Sequence, residues 1–106
     1  MGINRRQRRS FERRVAHVQI MLGKFVEETR LFLTEQKEMD KDDVECQTEM
    51  FDISQAEYVE RYIHHKNNEW IALCKRELKG GKISVIIPEY INCVAELKKF
   101  IYGDSK

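Results

Sequence analysis

One proline stands in 106 residues, and no apolar run approaches the roughly 20 residues that a bilayer-crossing helix needs. A transmembrane span is therefore excluded. The only apolar run near the start, Val18 to Leu22, is interrupted by Gln19 and ends at Gly23-Lys24, so a secretory signal is not expected either. Met1-Gly2 opens like a myristoylation site, but Arg6 occupies the position that needs Ser or Thr. Cys46, Cys74 and Cys93 are odd in number and widely spaced, which fits reduced thiols in a cytoplasmic protein better than a disulfide framework. Close cysteine or histidine pairs of the kind that announce structural zinc are missing. Adjacent His64 and His65 point in different directions on a helix, and the acidic run from Asp40 lacks the glycine and distal glutamate of an EF-hand loop. Lys79-Gly80-Gly81-Lys82 is too short for a phosphate-binding loop. No cofactor, metal or catalytic group is expected.

What the chain does have is helix-forming material and charge. Charged residues make up 35% of the sequence and hydrophobic residues 42%, a composition that favours one small helical domain over a many-stranded sandwich. The net charge of +1 conceals strong segregation. Residues 1–14 hold six arginines against Glu12, a balance of +5, and Lys24 adds +1 over residues 15–26. Residues 27–60 hold twelve acids against three bases, a balance of −9; residues 61–106 hold nine bases against five acids, a balance of +4. A chain polarised in this way can meet a polyanion, an acidic protein surface or its own other end.

The stretch from Asn4 to about Glu38 organises the rest. Phe11, Val15, Val18, Leu22, Phe25, Thr29 and Phe32 recur at alternating spacings of four and three, one apolar stripe along a long helix. Asn4 with Gln7 supplies a capping box at its start. The spacing also fits a heptad seam with Phe11, Val18, Phe25 and Phe32 at d positions. Three phenylalanines there crowd a two-stranded coil, so the stripe reads as an intramolecular core. Ala16, Ile20 and Leu31 project from the opposite side among polar residues, which points either to a helix central in the fold or to one that meets a second chain. Gly23 on that rear costs about 1 kcal/mol against Ala and reads as a point of close backbone approach.

Beyond a polar connector at 37–43, residues 44–51 alternate as a short strand does, although Cys46 with Met50 also permits a helical turn. Ser54 with Glu57 caps a helix carrying Tyr58, Val59, Tyr62 and Ile63, with His64 to Asn68 reading as an interruption before a second helix over 69–79 that Gly80-Gly81 stops. A hairpin across the diglycine competes with that second helix. Ile83 to Ile87 is β-branched and of period two, so a minor strand pair of 44–51 with 83–87 is left open. Pro88 then starts a last helix presenting Tyr90, Ile91, Val94, Leu97 and Ile101 and ending at Gly103. The fold expected is mainly α: one long N-terminal helix and two or three more.

Arg5, Arg6, Arg8, Arg9, Arg13 and Arg14 form the one dense charge cluster. Like charges at i,i+4 repel, and cations are unfavourable at a helix N-terminus, so an acceptor would relieve the arrangement. Guanidinium forks suit phosphates, and an acidic protein surface serves equally. With only Phe11 for base stacking nearby, sequence-specific nucleic-acid reading is not indicated. The expectation is a non-enzymatic interaction protein, oligomeric or docked in a larger assembly through Ala16, Ile20 and Leu31. The alternative is a nucleic-acid-binding accessory protein whose six arginines contact phosphates.

Overall fold

The computed structural model of the chain describes residues 5–79 and 83–103, and these form four helices: α1 (Arg5–Glu38), α2 (Lys41–Phe51), α3 (Gln55–Leu78) and α4 (Ile83–Tyr102). Helices α1, α3 and α4 each pack against the other two, and α2 leans on α3. At 1.5 Å per residue α1 runs about 51 Å, which accounts for most of the long axis of a body measuring 61 × 26 × 20 Å.

Helix α1 forms where its period requires. Val18, Thr29, Leu33 and Gln36 are buried along it, and Phe11, Val15, Met21, Leu22, Phe25 and Val26 pack around the same seam. The stripe is thus consumed within the chain. The α1–α2 break is shorter than the polar connector implies, confined to Met39-Asp40. Asp40 is the N-cap of α2 by backbone geometry, and Asp52 ends that helix in the left-handed region at φ 53°, which Asp tolerates better than most residues. Ser54 caps α3 as its position requires, its hydroxyl accepting from the Glu57 N–H at 3.1 Å. Helix α3 ends with Lys79 at φ 48°, its N–H bonded to the Lys75 carbonyl at 3.1 Å, and Gly103 closes α4 at φ 76°. The expected cap at Asn4 and the diglycine stop lie outside the described residues.

Three expectations are corrected. No strand occurs among the described residues, because 44–51 belongs to α2 and 83–87 to α4. A lone β-branched run has no sheet to join, and the helical penalty of Ile and Val is only a few tenths of a kcal/mol each. Pro88 is the sixth residue of α4 rather than its start. It withholds one early backbone bond, close enough to the free N–H groups of the helix start to be tolerated. Residues 64–68 do not interrupt α3, which runs unbroken for 24 residues. Lys66 explains why. Its ammonium reaches Glu28 at 2.7 Å and Glu69 at 3.4 Å, and it lies 5.6 Å from the Phe25 ring centre and 5.8 Å from that of Tyr62. A polar-looking segment therefore packs directly on α1, and the hydrogen bond that Lys66 donates to Glu28 holds the Lys66 pKa above its usual value.

The main core joins Val18, Trp70, Leu73, Cys74, Leu78, Tyr90 and Val94, and a smaller one joins Leu33, Val59 and Ile101. Phe25, Trp70 and Tyr90, one ring from each long helix, meet with centroids 5.9 to 6.3 Å apart. Thr29 Oγ1 donates to the Phe25 carbonyl at 2.8 Å and so has no proton left for Tyr90, whose hydroxyl donates to it at 3.0 Å. At the other end the buried Gln36 exchanges side-chain hydrogen bonds with Gln47 at 3.3 and 3.1 Å and accepts from Gln55 on its carbonyl at 3.1 Å. One amide thereby ties α2 and the start of α3 to α1.

Two outcomes follow for the core. Trp70→Ala removes the largest buried ring and is expected to cost about 3–5 kcal/mol in urea unfolding, whereas Tyr90→Phe, which leaves Thr29 bonded to Phe25, costs about 1 kcal/mol. Burial pushes the Cys74 thiol up to about 11, so folding opposes its ionisation. The folded pKa exceeds the free value of 9.0; this contribution is therefore complete below pH 9 and is lost as pH rises toward 11. In unfolding series at pH 7, 9 and 11, Cys74→Ala should flatten the alkaline decline, and a thiol reagent should label Cys74 only on unfolding.

Candidate interaction surface

Arg5, Arg6, Arg8, Arg9 and Arg13 are exposed on the first turns of α1, and Arg14 is half-buried at the edge of the core stripe. The cluster therefore divides. Arg14 follows Phe11 by three residues, so the helix turns it toward the core, where its Nε is buried without a hydrogen-bond partner. None of the six makes an ion pair among the described residues, whose charge pairs lie elsewhere: Arg30 with Glu27, Arg61 with Glu57, His65 and Lys66 with Glu69, Lys66 with Glu28, Arg76 with Glu77 and Lys98 with Glu60. The basic end of α1 thus presents uncompensated guanidinium groups to solvent.

Ala16, Ile20 and Leu31 occupy the α1 face that α3 and α4 leave open. Ile20 is 61% exposed and Leu31 54%, high values for aliphatic side chains on the longest helix. Eleven residues separate them, three helical turns or about 16 Å along one line. A Cβ added at Gly23 would meet nothing within 4 Å. The close approach expected there is not made by any described part of this chain. Around these positions the face carries Arg13 and Lys24 toward its start and Glu27, Glu35 and Glu38 toward its end, all exposed. Glu27 is held by the Arg30 guanidinium at 2.9 and 2.5 Å, and that hydrogen bond lowers its pKa.

Other exposed apolar groups escaped the sequence reading. Phe100 is 86% exposed on α4, and Ile91, placed by spacing with the core residues of that helix, is also open to solvent. Only Tyr90, Val94 and Ile101 of that series are buried, with Leu97 half-buried. Met50 and Phe51 project at the end of α2, where Phe51 stacks on Tyr58 at 5.3 Å. A single-face pattern could not have separated Ile91 from its neighbours, since the stripe width depends on how α1 and α3 close over it. A groove of about 580 Å³ lies between the start of α3 and the end of α4, with Ala56, Val59, Ala95 and Tyr102 along its walls and Glu60 and Lys98 paired beside it. It brings together no reactive set.

Among the described residues no three of His, Cys, Asp and Glu converge as metal ligands, and no helix is long and apolar enough to cross a membrane. Cys74 is buried in the core and Cys46 is exposed on α2. The two histidines of α3 face solvent, His65 at 2.9 Å from Glu69. Compared with known protein families, characterised proteins and solved structures, the chain matches none.

Proposed function

We propose that this chain is a non-enzymatic interaction protein of the cytoplasm, an oligomeric or docked subunit that engages its partner through the open face of α1. The observation that carries this reading is the pairing of exposed Ile20 and Leu31 with arginines that have no acid of their own among the described residues. An isolated surface leucine needs no explanation. Two large aliphatic groups aligned on one open helix face, ending in an uncompensated basic cluster, have the layout of an interface core with a charged rim. The charge steers encounter and sets orientation, and the aliphatic groups supply the area that holds the complex.

A second reading draws on the same arginines. Arg5, Arg6, Arg8, Arg9 and Arg13 project into solvent and can contact backbone phosphates, so that binding to a nucleic acid would weaken linearly in logarithmic salt. Neutralising two of the five should then reduce the salt slope by about 2.

The test places a photo-activatable side chain at Ile20 or Leu31 and irradiates the protein in the cells that produce it. A discrete protein adduct is expected, abolished by Asp at the neighbouring position. Absence of any discrete adduct would overturn the interface reading. Nucleic acid that co-elutes at low salt and leaves at high salt would transfer the arginines to the second reading.

A further inference from the structure

Read in reverse, the open face of α1 is the complement of itself. Its exposed residues Arg13, Ala16, Ile20, Lys24, Glu27, Leu31, Glu35 and Glu38 form a line in which each position recurs eleven residues on, three turns with little angular drift. Arg13 leads to Lys24 and Glu35, Ala16 to Glu27 and Glu38, and Ile20 to Leu31. The line is also symmetric about the point midway between Phe25 and Val26. Reflection there exchanges Arg13 with Glu38, Ala16 with Glu35, Ile20 with Leu31, and Lys24 with Glu27.

Every exchange is compatible. Two join a base to an acid, one joins two aliphatic side chains, and one sets the stem of a glutamate over an alanine. No like charges meet. From this complementarity of charge and matching of apolar groups we infer that α1 binds a second copy of the same chain, antiparallel, with the two-fold axis passing between the two helices at the level of Phe25 and Val26. Such a contact is isologous, which closed two-fold symmetry requires.

The rest of the fold permits it. Helices α3 and α4 cover the opposite side of α1, so in such a pair they lie outside the contact between the two α1 helices. The line from Arg13 to Glu38 spans about 38 Å of helix. Arg9, Arg6 and Arg5 continue past the end of the partner's α1, toward the acidic start of α2, where Asp42, Asp43 and Glu45 follow one another. Glu27 already holds Arg30 and faces Lys24 of the partner subunit with its remaining lone pairs. With few apolar groups per copy, the dimer depends on concentration and weakens in salt.

The partner named here rests on the interface reading above, and the experiment separates the two. Arg13→Glu and Glu38→Arg alter exposed positions and leave the core untouched. Each alone sets like charges against each other at both ends of a dimer, and should weaken self-association roughly tenfold by sedimentation equilibrium. Mixing the two variants gives a heterodimer in which both ends are again opposite in charge, and association should return to within about threefold of the natural chain; the doubly substituted chain should behave likewise. A natural chain that remains monomeric through the dilution series, variants that associate as it does, or a mixture that fails to recover would each overturn the antiparallel dimer. If the dimer fails while the light-induced adduct at Ile20 joins a different protein, the interface reading survives without this partner. If no adduct forms either, both readings fall together.

Discussion

The structure depends on one buried meeting point beside Thr29, where Phe25 of α1 meets Trp70 of α3 and Tyr90 of α4 edge to face and those two rings lie tilted against each other. Each long helix contributes one ring, so no pair of helices can shift without opening a contact to the third. The polar atoms in this position are matched without surplus: the threonine proton goes back to its own helix and the tyrosine proton crosses to α1. That crossing fixes the register of α4 more sharply than aliphatic packing alone could, because a displaced hydroxyl would be left buried and unpaired. The aromatic contacts continue away from this point, with Phe32 stacked on Tyr62 at 3.7 Å and tilted against Tyr58 at 5.8 Å.

Because α1 is the common wall of this arrangement, its two faces face different problems. The inward stripe is consumed by the bundle. The outward one is left uncovered by the other described helices, and it keeps Ile20 and Leu31 in solvent. That division was legible in the sequence, since the same period that gathers Phe11, Val18 and Phe25 on one side places Ala16, Ile20 and Leu31 on the other. The cap at Ser54 and the stop at Gly103 were legible for local reasons, a hydroxyl able to take a backbone proton and a residue free to adopt positive φ. Ile83 to Ile87 was not, because β-branching records a preference that only a neighbouring strand can satisfy, and residues 44–51 became helix. His64 to Asn68 misled for the opposite reason. Its polarity hid Lys66, only 17% exposed, whose long side chain packs on rings from two helices while pairing with Glu28. The division of the arginines was partly readable from period alone, which puts Arg5, Arg6, Arg9 and Arg13 on the side away from the core stripe and Arg14, three residues from Phe11, toward it.

The arginine cluster is also a question of dipoles. Six cations at the N-terminal end of a 34-residue helix oppose the field of that helix, with no acidic residue in its first turn. Within the chain only Glu12 stands among these arginines, and none of the six forms an ion pair among the described residues. An antiparallel partner does so geometrically: the N-terminus of one α1 then lies beside the C-terminal end of the other, where the carbonyl ends are negative and Glu35 and Glu38 add their charge. The same reversal removes the like-charge repulsion that a parallel pair would create along its whole length, Arg against Arg at one end and Glu against Glu at the other. The charge segregation that leaves a single chain poorly compensated thus discriminates between the two ways of pairing it. In the proposed antiparallel pair, orientation is set by the ends of the helix and adhesion by Ile20 and Leu31 between them.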